Sequence, residues 1–519
     1  MGKSIVLGVD SSTSATKVIG FDSSGKTVAE GAAEYPLYTE KPGWSEQDSD
    51  DWWTAFKEAC QKMVSNPDIT VRNCIGLGIT HQRFTFVPVD EDIRPMRRAI
   101  LWNDTRCPQE SAYAEKTVGK QKIFDRTGYP PGVWTLYKVL WLKNNEPEIY
   151  EKIFKVMLVQ DFLIYRLTGN LTTLQGACTM TGALDIAAKD RWAKDVIRDL
   201  TVRDDIWIEP IQPGGTVVGT VTREASKETG LPEGLPVVTG AGDQPCGILG
   251  AGVIEPGEMG INGGTSCTNE LVSEKIPERK QVNYFIEISP SGEYIVENYI
   301  PSGGSALMNW YKNNFGACEV QQAEKEKRNV WEIIYGLAGD TPPGNRGMMV
   351  VPYFQGANGP YWDMTAKGVI AGLRQEYGRP YFVRGFIEGL AYESRRQMEL
   401  MESGTKTRVQ SVRMYGGSAR SDHWNQVFTD VLNRPLHVPD TAETTALGAA
   451  ISAAVGCGMY TDFRRAAEKM VGIRKSYKPV ARNVSRYEKL YTGVYNKLYD
   501  QLHDLMREAS EIIDNDEDH

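Results

Sequence analysis

Histidine and paired cysteine are scarce in this chain. Its 519 residues hold five dispersed histidines, and its eight cysteines, at 60, 74, 107, 178, 246, 267, 318 and 457, form no C-x-x-C pair. Neither a zinc site nor a disulfide framework is indicated. No apolar run nears the ~20 residues that span a bilayer. The opening MGKSIVLGVD lacks the basic region and long apolar stretch of a secretory signal, and Val6 stands where a myristoylation signal wants Ser or Thr. Basic surface is lacking too. A net charge of −9 disfavours non-specific nucleic-acid binding, which needs cations to displace counterions. A small anionic ligand stays open, because a few local donors can outweigh the global field. The expectation is a reduced, cytoplasmic protein of enzyme size, with neither nucleic acid nor membrane as partner.

What is present is the composition of a globular protein, 41% hydrophobic and 24% charged, long enough for roughly two to four domains. Short apolar strands alternate with amphipathic helices, which points to an α/β class. Strands are expected over 5–9, 15–21, 27–34, 74–80, 236–240, 258–262 and 411–417. Helices are expected over 49–64, whose first turn is acidic as the helix dipole prefers, and over 422–432. Between 487 and 506, Leu490, Tyr491, Val494, Leu498, Leu502 and Leu505 recur at helical spacing and read as one packed face. Two halves begin alike, each with a strand, a Ser/Thr/Gly turn and another strand. Domains are therefore expected at 1–254 and 255–519, parted at IEPGE.

Two nearby stretches compete as phosphate holders. GFDSSGKT, residues 20–27, matches the P-loop pattern G-x-x-x-x-G-K-[ST]. A P-loop needs a following helix, and only eight residues separate it from Pro36, so a hairpin turn is the better reading. The rival, DSSTSATK over 10–17, matches no pattern. It ends a strand with Asp10, able to face a Mg²⁺ ion through water, and its turn offers Thr13, Ser14 and Lys17 to phosphate oxygens. A plain Ser/Thr-rich turn would look the same.

Further along, GAGDQPCGILGAG (240–252) sets Asp243 before Pro245 at a helix start. It is either an N-cap or a catalytic base approached across glycines. NGGTSC (262–267) is another Gly/Thr turn of the phosphate-holding kind. YGGSARS (415–421) leads into the helix at 422, where a ring could lie on a Gly-Gly backbone or the loop could serve only as helix entry.

Taken in order, Asp10-x-x-Thr13-x-x-x-Lys17, PGWSEQD, ILWNDTR, GAGDQ, GGTS, YGGSARSDHWNQ and VPDTAETTALGAA resemble the FGGY carbohydrate kinases across nearly the whole chain. That resemblance implies two actin-like (ribonuclease H-like) ATPase domains with a central cleft, as in the hexokinase, heat-shock chaperone and actin superfamily. It implies ATP and Mg²⁺ as cofactors, with Asp10 and Asp243 toward the metal and Asp243 as the base that takes the proton of the sugar hydroxyl. Thr13, Ser14 and Lys17, with Gly264 and Thr265, would hold phosphate, and Gly417, Ser418 and Ser421 adenosine. His81, Gln82, Arg83, Trp102, Asn103, Asp104, Trp134 and Gln244 fall in the sugar pocket, with Trp44 and Glu46 beside them.

The chain departs from the family where substrates are chosen. Gln82-Arg83-Phe84 replaces the Gln-Arg-Glu typical of glycerol kinases, and His81-Gln82-Arg83 stands in place of the Gln-Met-His of xylulokinases. Asp243-Gln244 is nearer the glycerol kinase pattern and Leu101-Trp-Asn-Asp104 nearer xylulokinase, while PYFVRG (380–385) departs from the second family signature. The expected reaction is phosphorylation of a terminal hydroxyl on a ketopentose such as xylulose. A polyol such as glycerol or erythritol is the alternative, and an actin-like ATPase that is no kinase is a second one. A homodimer is the expected assembly, if the chain assembles at all.

Overall fold

The computed structural model describes residues 4–517; Met1–Lys3, which open the N-terminal stretch read above, and the last two residues lie outside them. Two compact units are present. The first comprises the chain up to Ile254 together with Ser273–Ile295 and Glu443–Gly472. The second comprises Glu255–Val272, Val296–Ala442 and the chain from Ile473 onward. The first break falls where IEPGE places it, but a simple division into 1–254 and 255–519 misses two later returns to the first unit.

The first unit is built on six strands: β1 (Ile5–Ser11), β2 (Ala15–Phe21), β3 (Thr27–Glu34), β4 (Cys74–His81), β5 (Val217–Thr220) and β6 (Pro236–Gly242). Their order is β5-β6-β4-β1-β2-β3. The β1–β2 and β2–β3 pairs are antiparallel, whereas β4 runs parallel to both β1 and β6. The alanine-rich helix Thr444–Gly456 packs against this sheet. Ala446, Leu447, Ala450 and Ile451 join Val6, Ile19, Phe21 and Val238 in one buried cluster. That helix is apolar on every side, as a fully buried helix must be, and this explains why chain so late in the sequence returns to the first unit.

The second unit repeats the plan with β7 (Glu258–Gly263), β8 (Cys267–Ser273), β9 (Tyr294–Ile300), β10 (Ser411–Tyr415), β11 (Leu436–Pro439) and β12 (Ile473–Tyr477), in the order β9-β8-β7-β10-β11-β12. Here too a hairpin, β7–β8, lies beside a parallel pair, β7–β10. The strand expected over 411–417 stops at Tyr415, because Gly416 takes φ 82° and turns the chain into a 3₁₀ turn at Gly417–Arg420.

The tail also differs from its expected form. A π turn at Tyr491–Tyr495 interrupts the helical run between Ala481–Leu490 and Asn496–Glu517. One extra residue in a turn rotates everything beyond it. The turn keeps Tyr495 and Tyr499 on the buried face with Tyr487 and Tyr491 before them, while Val494 and Leu505 are exposed.

Candidate active site

The hairpin between β1 and β2 brings Asp10 opposite Lys17 and Ser11 opposite Thr16. Its turn is tightened by Ser12, whose N–H and hydroxyl both donate to the Ala15 carbonyl at 2.9 Å. From below, the Tyr35 hydroxyl donates to the Ser12 carbonyl, and the Tyr35 N–H reaches the Ser14 carbonyl at 3.2 Å. Ser14 itself is exposed and Thr13 half-buried. Lys17 Nζ is held 3.0 Å from Glu443, at the entry to the helix Thr444–Gly456.

GFDSSGKT has no comparable opening. It is the β2–β3 turn, with a strand rather than a helix after it. The N–H groups of Ser24 and Lys26 are both taken by the Asp22 carboxylate, at 2.8 and 3.1 Å. A turn that satisfies its own amides offers none to phosphate.

Asp10 lies at the mouth of this hairpin, and its Oδ1 is shielded from solvent with no partner in the protein. Burial first, then the negative charge of Asp243, pushes its pKa up to about 7, with Lys17 opposing. A carboxylate kept out of water without a partner is one that a cation would ionise. Mg²⁺ retains several waters and is bound through one or two carboxylates plus nucleotide phosphates, so Asp10 and Asp243 fit such an ion. Among the described residues no group of three or more His, Cys, Asp or Glu could hold a metal by itself.

The same environment sets a pH dependence. Folded Asp10 keeps its proton to higher pH than it does unfolded, so the folded state binds more protons between about pH 4 and pH 7 and stability falls across that window. In metal-free buffer Asp10→Asn is therefore expected to melt above the wild type at pH 8, the gap closing toward pH 4. A gap that is the same at every pH would refute this.

Asp243 opens the helix Asp243–Gly250 directly after β6. Its Oδ1 accepts the Gln244 N–H at 2.9 Å and lies 3.1 Å from Arg83 Nε. Desolvation, the largest influence, lifts its pKa above the usual carboxylate range, and Arg83 pulls the other way. Gly242 makes room for the arginine: a Cβ there would meet Arg83 Cγ at 2.8 Å. Arg83 in turn extends from the segment after β4 to Glu287, 2.7 Å away on the strand Phe285–Ile288.

The remaining pocket residues divide into wall and support. Trp134 is buried against Phe84, Tyr129 and Phe285, at centroid distances of 4.8, 5.3 and 5.4 Å, and its indole N–H donates to the Pro130 carbonyl at 2.6 Å. His81 is fully buried, its pKa lowered to about 4 by that burial. Its Nδ1 lies 2.8 Å from the Gln82 carbonyl. Only an N–H can bond a carbonyl, so Nε2 is left as a bare acceptor, and it has no partner in the protein. Trp102 is exposed and donates its indole N–H to Thr13 Oγ1 at 2.9 Å, and Asn103 beside it is exposed as well. Asp104, by contrast, is wholly buried. Its carboxylate accepts the Ser45 N–H at 2.6 Å and Arg106 at 2.6 and 2.8 Å. Arg106 also bonds Glu46 and covers the Trp44 ring. Asp104, Glu46 and Trp44 thus build the loop that presents Trp102.

Sequence reasoning overlooks Gln47. It is fully buried, donates to the Thr13 carbonyl at 2.6 Å, and accepts from Gln82 at 2.8 Å and from Trp52 at 2.9 Å. One amide thereby ties the β1–β2 hairpin to the segment that follows β4. Its place in the PGWSEQD stretch was the available signal.

In the second unit, the turns at 263–265 and 416–418 meet. A Cβ on Gly263 would strike Ser418 Cβ at 2.8 Å, and one on Gly416 would strike Asn262 Oδ1 at 2.6 Å. The carbonyls of Gly264 and Thr265 are capped by N–H groups at the start of the helix Ser305–Phe315, Ser305 donating to Gly264 at 2.6 Å. Ser418 is buried, and its hydroxyl has no partner. Gly417 opens the 3₁₀ turn, while the Ser421 hydroxyl caps the helix Asp422–Leu432 by accepting the Trp424 N–H at 3.2 Å.

The chain matches the family models for the N-terminal domain of FGGY carbohydrate kinases over residues 5–250 and for their C-terminal domain over 259–457. It is 29% identical to a xylulose kinase of Bacillus subtilis, over 93% of this chain and 95% of that protein. It is 30% identical to a xylulose kinase of Staphylococcus epidermidis, over 94% and 95%. A solved xylulose kinase structure from Rhodospirillum rubrum superposes with a TM-score of 0.86 at 25% identity, covering 97% of this chain and all of that one (100%). The chain belongs to the FGGY family of carbohydrate kinases, ATP-dependent phosphotransferases with an alcohol group as acceptor.

Proposed function

We propose that this kinase transfers the terminal phosphoryl group of ATP to a terminal hydroxyl of a ketopentose, with xylulose as the first candidate. One observation carries the reading. Asp243 stands at the head of a helix, half-buried, with its carboxyl raised and its direction held by Arg83, beside an aromatic wall of Phe84, Trp134 and Phe285. A carboxyl so raised is a better proton acceptor than an ordinary one, and flat rings suit the carbon face of a sugar. The names of the similar proteins favour xylulose over other acceptors.

In this reading Asp243 orients the acceptor hydroxyl and receives its proton. Phosphoryl transfer is chiefly positioning and charge stabilisation, and the β1–β2 hairpin supplies Thr13, Ser14 and Lys17 as donors toward phosphate oxygens. Gly264 and Thr265 form the second phosphate turn, and Gly417, Ser418 and Ser421 the adenosine loop. A Mg²⁺ ion carried by the nucleotide would neutralise phosphate charge near Asp10 and Asp243. His81, Gln82 and Gln244 face the sugar, and Asp104 acts through the Trp102 loop. A cytoplasmic location and a homodimer belong to the same reading. No helix among the described residues is long and apolar enough to cross a membrane.

ADP release measured across ketoses, aldoses, polyols and sugar acids tests this, with xylulose expected to give the highest kcat/KM. Preference for glycerol or erythritol would move the assignment to a polyol kinase, as Gln82-Arg83 and Asp243-Gln244 would allow. Substitution at the two rival lysines separates the two hairpin turns. Lys17→Ala should raise the KM for ATP about tenfold or more, as losing a charged hydrogen bond does, whereas exposed Lys26→Ala should leave it unchanged. The opposite ranking would return the phosphates to GFDSSGKT.

A further inference from the structure

We propose that Tyr35 is a positioning residue for ATP, whose hydroxyl holds the Ser12 carbonyl and so keeps the β1–β2 turn open, its N–H groups left for phosphate. The proposal rests on the reading of this hairpin as a phosphate holder.

Tyr35 directly follows β3 and is buried. It grips the turn twice. Its N–H carries the β2–β3 pairing on to the Ser14 carbonyl at 3.2 Å, and its hydroxyl donates to the Ser12 carbonyl. The carbonyl between these two, on Thr13, is taken by Gln47 at 2.6 Å. Three successive carbonyls are thus bound from within the protein. In a trans peptide the C=O and the N–H that follows it point in opposite directions. The N–H groups of Thr13, Ser14 and Ala15 therefore face away from those partners, and those of Thr13 and Ser14 have no acceptor among the described residues.

A turn of this length ordinarily closes with a bond from its fourth residue to the carbonyl of its first. Here only the reverse bond is made. The Ser12 N–H donates to the Ala15 carbonyl at 2.9 Å, while no bond from the Ala15 N–H to the Ser12 carbonyl is present among the described residues. The Tyr35 hydroxyl stands in its place. Ser11 Oγ, 3.4 Å from that hydroxyl and 3.1 Å from Thr16 Oγ1, belongs to the same buried group. For stability alone the ordinary turn bond would serve as well, without the cost of burying a hydroxyl. What the hydroxyl adds is the open turn. Without it the Ser12 carbonyl is free to take the Ala15 N–H, and closing the turn reorients the peptides on either side of Thr13 and Ser14.

Tyr35→Phe keeps the ring and removes only the hydroxyl. Its Kd for ATP, measured by calorimetry, is expected to rise about tenfold, the worth of one hydrogen bond to a charged group. The Kd for adenosine, the KM for the best sugar and the Tm should stay close to wild type, since the closed turn still satisfies the carbonyl. Wild-type affinity for ATP overturns the proposal. So does an equal loss for ATP and adenosine, or a Tm well below wild type, since either makes the hydroxyl merely structural. Lys17→Ala separates this from the reading beneath it. ATP binding weakened by Lys17→Ala but not by Tyr35→Phe removes the proposal alone, whereas ATP binding indifferent to both removes the phosphate reading of the hairpin as well.

Discussion

Asp243→Asn is expected to abolish phosphoryl transfer while leaving ATP binding nearly intact. The asparagine keeps an oxygen where Oδ1 now accepts the Gln244 N–H and meets Arg83, so the helix start and the arginine remain in place. What disappears is a carboxyl able to take a proton, a contribution of about 10²–10⁴ in rate. Single-turnover transfer to the preferred sugar should show the loss, and equilibrium binding of a fluorescent ATP analogue should not. If the variant turns over normally, Asp243 is only the helix cap that its position also permits.

The second large effect is expected where two helices pack against one another. Gly448, inside the helix Thr444–Gly456, lies so close to the helix Asp243–Gly250 that a Cβ would sit 1.9 Å from the Cys246 carbonyl oxygen. From the other side, a Cβ on Gly250 would sit 1.8 Å from the Thr444 carbonyl oxygen. Both obstacles are backbone and cannot rotate away. In an exposed helix Gly→Ala stabilises by about 1 kcal/mol. Here the sign should reverse, and Gly448→Ala should cost about 3 kcal/mol, the upper end for overpacking. In a protein of this size, with an unfolding entropy of about 2.1 cal/mol/K per residue, that is roughly a 3 °C fall in Tm. Because the displaced helix carries Asp243 at its head, kcat should fall as well. A Gly448→Ala protein with unchanged melting would mean that the two helices are not seated on one another as described.

Local order was largely readable from residue patterns. The strands Ala15–Phe21 and Thr27–Glu34 and the helices Ser49–Val64 and Asp422–Leu432 lie where alternation, turn residues and first-turn acids place them. The hairpin nature of GFDSSGKT was readable too, since a P-loop requires a helix for which there was no room. Partners distant in sequence were not. Glu287 reaches Arg83 across 204 residues, and Glu443 reaches Lys17 across 426. Nothing in the composition of either segment names its counterpart. Gln47 stayed hidden because a buried amide gives no periodic signal, and the tyrosine face of the tail because a single π turn breaks the spacing on which such a reading depends. Motif order identifies candidate site residues, but which of them face outward and which, like Asp104, support a loop is decided by packing.

The return of Thr444–Gly456 to the first unit has a consequence for biosynthesis. The Ala446 and Ala449 carbonyls press into β1 and β4 at positions where Gly8 and Gly78 leave no room for a side chain, at 1.9 and 2.0 Å from a would-be Cβ. The ribosome delivers that helix only after all the strands of the first sheet, and most of the second unit, have emerged. A nascent chain ending near residue 254 therefore carries an unsealed sheet face, exposing Val6, Ile19, Phe21 and Val238. Domains commonly fold as units in the order of synthesis, but the first unit of this enzyme cannot finish first. Its nascent form should lean on chaperones for most of translation, and a released 1–254 fragment should aggregate where the full chain does not.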